Sequence, residues 1–248
     1  RQKQVYSYTL LTPCYSGVFP SNGLKATAGG AAPNRFTYGC ATLPQLFAVA
    51  LTEGKYQGAW PGNAVQLEMK NAYRFQRPQN EDEMDTWRKQ GMFNYEIMVP
   101  PQESDLLFTK MQQHLMNSFK VEARIEKRSA KCLVLQQTGP ERKLKTKGAT
   151  PASNFWIDTD EPVKFLRNLP FEQLVTKFAY LCKGLALPTP FINAVAYKGN
   201  VDIQLPAAAL NEFNVPALRK ALQPYGLDLV EQEWLTDVLV ITDQKAAL

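Results

Sequence analysis

Few side chains in this chain have the type and spacing needed for chemistry. His114 is the only histidine, so the chain cannot build a multi-histidine metal site. A Ser-His-Asp arrangement would have to use this one histidine as its base. His114 directly precedes Leu115, a core position of a predicted helix, which favours a surface or boundary residue. The acidic stretch Glu81–Asp85 lacks the ligand spacing and the glycine of a calcium loop and is typical of a helix start. The sequence predicts no catalytic, cofactor-binding or metal-binding residue.

The four cysteines are widely spaced, and no CxxC pair is present to lower a thiol pKa or hold a metal. Cys132 and Cys182 lie beside apolar residues and are predicted to be packed core thiols. Cys14 and Cys40 can form a disulfide if the compartment is oxidising, and the sequence alone leaves this pairing open.

Composition predicts a globular chain with no membrane span. The chain has 248 residues, 45% of them hydrophobic, and a formal net charge of +5. No apolar run approaches the roughly 20 residues that a membrane-spanning helix needs. The basic run at 142–147 is flanked by Gly and Pro and is predicted to be a solvated loop. No aromatic residues interleave with these charges, so no nucleic-acid partner is expected. Because no Met precedes Arg1, we expect that an upstream segment has been removed.

An internal repeat is the most informative feature of the sequence. A shift of 106 residues lays Asn94–Gln136 on Asn200–Thr242 without a gap, and apolar positions such as Ile97 and Ile203 coincide. Each copy begins with an alternating pattern typical of a half-buried strand, continues with a helix, and ends with two strands. The predicted strand pairs are Lys120–Glu126 with Ala130–Gln136, and Gly226–Val230 with Asp237–Thr242.

The central helix of each copy has recognisable end signals. In the second copy Asn214 is the predicted cap, and Gly226 can end the helix in a left-handed turn. In the first copy Ser104 is the predicted cap. Lys120 stands where the second copy has the glycine, so that turn must close differently or bear some strain. The predicted core stripe of the first helix consists of Leu107, Met111 and Leu115.

An earlier helix also recurs, because Gln45-Leu46 resembles Gln173-Leu174 at an offset of 128, which makes the first copy 22 residues longer. The extra region contains a predicted strand, Val65–Phe75. Leading strands are predicted near Arg35–Thr37 and Phe155–Asp158.

The predicted fold class is α+β, with two diverged copies of a small helix-strand-helix-strand-strand unit and mainly antiparallel or mixed sheets. The copies are assigned to residues 1–137 and 148–248, and a basic loop at 138–147 connects them.

Two families share parts of this pattern. The segments Val215–Leu222, Tyr225–Leu229 and Val238–Ile241 resemble the short N-terminal domain of secretins and TonB-dependent receptors. Over nearly the whole chain, the order of segments resembles the bacterial soil-associated protein family, known as domain of unknown function thirty-seven thirty-eight. Arg35–Thr37 followed by Ala41–Leu46 is similar to that family's first strand and helix.

The chain departs from the soil-associated family at two places: Arg124 stands where members often have a histidine, and Trp60-Pro61-Gly62 changes the usual order of these residue types. The resemblance implies export to the periplasm or cell envelope, and fusion in some members behind a membrane-associated thioredoxin-like domain. It implies no known reaction. The expected partner is therefore an envelope protein or an upstream, thioredoxin-like domain of the same polypeptide.

Aromatic residues in N-terminal or loop-rich segments suggest a binding surface, because amphipathic rings often line one. Core packing explains the same residues about equally well. The candidate surface residues are Tyr6, Tyr8, Tyr15, Phe19 and Trp60.

These observations favour a non-catalytic protein-binding or assembly module of the bacterial cell envelope, which would use exposed strand edges to add a partner strand. One alternative is capture of a glycan or lipid fragment in a cleft between the copies. Another is an accessory domain of a thioredoxin-like thiol oxidoreductase.

Overall fold

The structure is a computed structural model that describes residues 7–14, 23–26, 32–55, 64–78, 80–157, 161–184 and 189–244. It confirms the predicted α+β class, with antiparallel and mixed sheets. No helix in these ranges is long and apolar enough to cross a membrane.

The described residues form eleven strands and six α-helices. The strands are β1 Tyr8–Pro13, β2 Gly23–Lys25, β3 Arg35–Thr42, β4 Val65–Glu68, β5 Met92–Met98, β6 Val121–Gln137, β7 Ala152–Ser153, β8 Val163–Pro170, β9 Phe191–Asn193, β10 Asn200–Pro206 and β11 Leu227–Asp243. The helices are α1 Leu43–Leu51, α2 Glu81–Gly91, α3 Leu107–Phe119, α4 Glu172–Gly184, α5 Ala207–Asn211 and α6 Val215–Leu222.

The chain divides into two compact units. Unit 1 consists of Arg1–Trp60, Val65–Lys127 and Asp237–Leu248, and unit 2 consists of Pro61–Ala64 and Arg128–Thr236. The chain passes from one unit to the other within β6 and again within β11. Each unit therefore takes half of both long strands.

Unit 1 is built on a sheet of order β1-β5-β3-β2, in which every neighbouring pair is antiparallel. Helices α1 and α3 pack against each other and against β5. The α1 helix begins at a capping box in which Thr42 and Gln45 bond to each other's backbone N–H groups. Phe47 and Met111 are fully buried in this core, so the predicted α3 stripe is confirmed.

Unit 2 contains the antiparallel sheet β10-β8-β7 and a second hydrophobic core. At its centre, the buried Phe178 of α4 makes edge-to-face contacts with Phe191 and Phe213, at centroid distances of 6.0 and 5.8 Å. The geometry is the one that aromatic rings prefer. A single ring on α4 therefore connects this helix to two other segments of the core.

The strands β6 and β11 are each continuous over 17 residues, so the prediction of two shorter strands per copy is wrong. No glycine, proline or asparagine interrupts either run, which explains why no turn forms. Their exposed middle sections are joined by polar contacts: Lys127 with Asp237 at 2.9 Å, and Ser129 with Glu233 at 2.7 Å. These contacts pair the two strands across the section where the prediction placed a break.

Three further sequence predictions need correction. Phe155–Ile157 forms a turn rather than a strand, Asp158 lies outside the described residues, and the strand of this region is β8. The strand predicted at Val65–Phe75 ends at Glu68. Ser104 does not cap α3, because a 3-10 helix, Pro101–Leu106, precedes it.

The predicted two-copy repeat stays a prediction. Strands β6 and β11 begin and end 106 residues apart, which is the offset found in the sequence. The basic segment at 138–147 lies within unit 2, where Leu144 is buried and Lys145 forms a bridge with Val201 of β10. Its lysines are exposed, as a solvated segment requires.

The predicted helix ends are confirmed at Asn214, whose side chain accepts from Ala217 N at 3.1 Å, and at Gly226, which is left-handed with φ 70°. Lys120 is also left-handed, with φ 55° and ψ 45°. A side chain with a Cβ is strained in this conformation. Of the two outcomes considered for Lys120, the structure has the strained turn.

Lys120→Gly should raise the free energy of unfolding by about 1 kcal/mol, because glycine adopts this conformation without a Cβ clash. Gly226→Ala is the matched comparison and should lower it, since the added Cβ would also lie 2.9 Å from the Cα of Gly139. Chemical denaturation of the three proteins tests both changes. An unchanged or lower stability of Lys120→Gly would contradict the strain argument.

Candidate protein-binding edge

Strand β1 lies at the end of the first sheet. It pairs antiparallel with β5 from Tyr8 opposite Met98 to Pro13 opposite Phe93. Within the part of the chain that the structure describes, β1 has β5 as its only strand neighbour. Its second side is therefore a sheet edge.

The hydrogen-bond pattern tells which backbone groups of β1 face this edge. Cys14 N donates to Met92 O at 3.0 Å, which identifies Cys14 and Met92 as a hydrogen-bonded pair. Such pairs recur at every second residue of an antiparallel ladder, so the even-numbered residues of β1 face β5. The N–H and C=O groups of Thr9 and Leu11 consequently point away from β5. Pro13 has no N–H to offer, which suits an edge position.

The side chains of β1 are uncharged, and two large ones are exposed. Leu10 and Tyr8 are 52% and 39% exposed and lie on one face of the strand, because alternate residues share a face. Leu11 packs against the core on the other face. No charged residue occurs between Tyr8 and Pro13. Charged side chains are a common protection of natural sheet edges, and β1 lacks it.

Polar side chains on the outer face connect β1 with β5 and with β3, the next strand of the sheet. The Tyr8 hydroxyl donates to Glu96 of β5, and Arg35 of β3 forms an ion pair with the same Glu96 oxygen at 2.8 Å. Burial raises the pKa of Glu96, but the hydrogen bonds from Tyr8 and Arg35 outweigh it, and the pKa is lowered. Burial and the bond to Glu96 raise the pKa of Tyr8. These pKa shifts favour a protonated Tyr8 hydroxyl, which donates the hydrogen bond, and an ionised Glu96 carboxylate, which accepts it.

A disulfide between Cys14 and Cys40 fastens the C-terminal end of β1 to β3, with a Cα–Cα distance of 4.9 Å. Cys40 lies at an irregularity of β3 between Tyr38 and Ala41, and its N–H donates to Asn94 Oδ1 at 3.0 Å. The pairing that the sequence left open is therefore present. The bond holds a strand that, among the described residues, pairs with another strand on one side only.

One of the predicted binding-surface residues, Tyr8, can be placed, and it lies on this edge strand. The surface as a whole stays a prediction. The other candidates, Tyr6, Tyr15, Phe19 and Trp60, lie outside the described residues.

Sequence reasoning missed an exposed aromatic pair in unit 2. Trp156 and Tyr180 are 50% and 62% exposed, and their ring centroids are 5.6 Å apart. The Lys177 ammonium lies 4.5 Å from the Trp156 ring centroid, and burial together with repulsion from Lys164 lowers the pKa of Lys177. Trp156 and Ile157 follow each other and are both exposed, whereas successive residues of a half-buried strand alternate between buried and exposed. The strand predicted here is therefore wrong.

His114 is half-buried, between the buried and the exposed face of α3, in agreement with the prediction of a surface or boundary residue. Its Nδ1 is 3.4 Å from the Tyr95 hydroxyl and its Nε2 is 3.5 Å from Ser118 Oγ. Both distances are at the long limit of a hydrogen bond. Burial lowers the pKa of His114 and so favours the neutral ring. The arrangement is that of a boundary residue with two weak polar contacts.

The remaining thiols are poor nucleophiles. Cys132 and Cys182 are free and buried, as predicted. Burial raises the pKa of Cys182 to about 12, and burial followed by the charge of Glu233 raises that of Cys132. The reactive thiolate form is therefore scarce at neutral pH. Across the described ranges, no group of three or more His, Cys, Asp or Glu side chains is placed to hold a metal ion.

No protein-family model matches the chain, and comparison with curated proteins and with solved structures also finds no match.

Proposed function

We propose that this chain is a non-catalytic protein-binding module of the bacterial cell envelope, and that it binds an extended segment of a partner along β1. The observation that carries the proposal is the open edge of β1, where the outward backbone groups of Thr9 and Leu11 lie beside exposed apolar side chains. An added strand gains affinity from main-chain hydrogen bonds and specificity from alternate side chains.

The disulfide supports an envelope location. Structural disulfides persist in oxidising compartments such as the bacterial periplasm and are rare in reducing ones. Cys14 and Cys40 form such a bond, and it fastens the proposed binding strand itself. The resemblance to exported envelope families points to the same compartment.

The proposed partner is an envelope protein or another domain of the same polypeptide, of which a thioredoxin-like domain is one candidate. The partner segment would be extended and carry apolar side chains at alternate positions, so that they meet Tyr8 and Leu10 on the exposed face. A direct redox role for this chain is disfavoured, because its two free thiols are buried and have raised pKa values.

Site-specific cross-linking tests the proposal. A photoreactive residue at Leu10 should cross-link a discrete protein when the folded chain is mixed with an envelope fraction. The matched control places the same residue at Lys89, an exposed position on α2 of the same unit. Partners common to both positions, or no cross-link at Leu10, would overturn the proposed function.

A further inference from the structure

Unit 2 contains a cleft of about 600 Å³ on the outer face of the β8–β10 pair. Phe165 and Arg167 of β8 stand opposite Gln204 and Asp202 of β10 and share this face. Leu166 lies between them in sequence and is buried on the inner face. The volume is within the range of pockets that bind small molecules.

Positive charge dominates the lining of the cleft. Lys143, Lys145 and Lys147 line one side, and Arg167 belongs to the sheet. Asp202 is the one carboxylate of the lining, which leaves a net of three positive charges. All four basic side chains are exposed. Like charges gathered around a concave surface attract and concentrate anions.

Asp202 holds the lysine segment in place through hydrogen bonds with the Thr146 side chain and the Lys147 backbone. Asp202 accepts hydrogen bonds from Thr146 Oγ1 at 2.9 Å, from Lys147 N at 2.7 Å and from Asn168 N at 2.8 Å. Burial raises the pKa of Asp202, but these bonds and the charge of Lys147 outweigh it and lower the pKa. The carboxylate therefore fixes the segment through hydrogen bonds that involve no lysine ammonium group.

Aromatic side chains form an apolar part of the cleft. The Arg167 guanidinium lies 5.8 Å from the centroid of the Phe165 ring. The Tyr225 hydroxyl accepts a hydrogen bond from Gln204 N at 2.9 Å, which fixes this ring at the border of β10. A ligand with an organic body could contact the rings while its charged groups reach the lysines.

We propose that this cleft is a binding site for a small organic anion that carries at least two carboxylate or phosphate groups. Two or more charges are required because the positive groups belong to different segments and a single anionic group cannot neutralise them together. Lysine ammonium groups bind either kind of oxyanion as point charges, so the shared chemistry is that of the multivalent oxyanion. The site is independent of the β1 edge and of the function proposed for it.

Calorimetric titration with citrate and with pyrophosphate, at constant ionic strength, tests the site. We expect saturable binding of at least one probe. Binding of citrate alone would assign carboxylate ligands, binding of pyrophosphate alone would assign phosphate ligands, and both would assign a general oxyanion site. Absence of saturable binding by either probe would overturn the proposal.

The variant Lys145→Gln/Lys147→Gln should raise the dissociation constant at least tenfold, since each lost charge removes close Coulomb attraction. It should remain folded, because both side chains are exposed and Lys145 bridges Val201 through its backbone; its thermal unfolding checks this. Lys220→Gln, on the exposed surface of α6 in the same unit, is the control for loss of a positive charge outside the cleft. Equal effects of the double variant and the control would overturn the site.

Discussion

Removing the Cys14–Cys40 disulfide should lower the melting temperature of the chain by roughly 10 °C. The bond closes a loop with a sequence separation of 26 residues. Cross-linking a loop of this size restricts the unfolded chain and is worth about 3 kcal/mol. For a protein of this length, 1 kcal/mol corresponds to about 2–4 °C. Thermal unfolding of Cys14→Ser/Cys40→Ser beside the unsubstituted chain measures the effect.

Reductant provides the control for the disulfide prediction. It should lower the melting temperature of the unsubstituted chain and leave that of the double variant unchanged, because Cys132 and Cys182 are not bonded to each other. If reduction left the unsubstituted chain as stable as before, the bond would not be a source of stability and β1 would be held by its ladder alone.

Thr9→Pro should weaken partner binding on the order of 100-fold, because it removes an outward N–H and leaves a partner carbonyl without its donor. The N–H of Thr9 points away from β5, so the β1–β5 ladder loses no hydrogen bond. The partner found by cross-linking at Leu10 is the ligand for the measurement. Titration with the purified partner gives the dissociation constant.

Thr9→Val is the matched control, since it changes the side chain and keeps the N–H. It should bind within a few-fold of the unsubstituted chain, because the added strand is recognised mainly through the backbone. Similar thermal unfolding of both variants would show that β1 is still in place. Equal affinities of Thr9→Pro and Thr9→Val would contradict strand addition at this edge.

Local signals in the sequence were sufficient for two helix ends and for the core stripe of α3. Asn214 and Gly226 could be assigned because capping depends on a side chain and on a left-handed turn that are both local. The stripe of Leu107, Met111 and Leu115 follows from helical periodicity. The strain at Lys120 was foreseeable for the same reason.

Predictions failed where contacts distant in sequence decide the structure. Strands β6 and β11 continue through charged residues, and Lys127 and Asp237, far apart in the chain, pair across this section. The absence of glycine, proline and asparagine from both runs agrees with their continuity, but local composition does not reveal this pairing. The region after Phe155 was misassigned for a related reason: Trp156 stays exposed beside Lys177 of α4, a contact that periodicity cannot reveal.

The candidate sites were predictable only in part. Tyr8 and the possible Cys14–Cys40 bond were noted from the sequence, but the edge position of β1 depends on its pairing with β5. The basic run was noted as well. Its arrangement around a cleft depends on Asp202, which lies more than fifty residues away in the chain and anchors Lys147. The sequence identified these residues. Pairing between distant parts of the chain places them at a sheet edge and around a cleft.

Amide hydrogen exchange of the free chain, resolved by residue, tests the open edge most directly. The N–H groups of Thr9 and Leu11 should exchange fast, and those of Leu10 and Thr12, which face β5, should be protected. This alternation would show that the N–H groups of Thr9 and Leu11 have no hydrogen-bond partner in the free chain. Equal protection of all four amides would show that the edge is already paired within the chain, and the proposed binding by strand addition would be wrong.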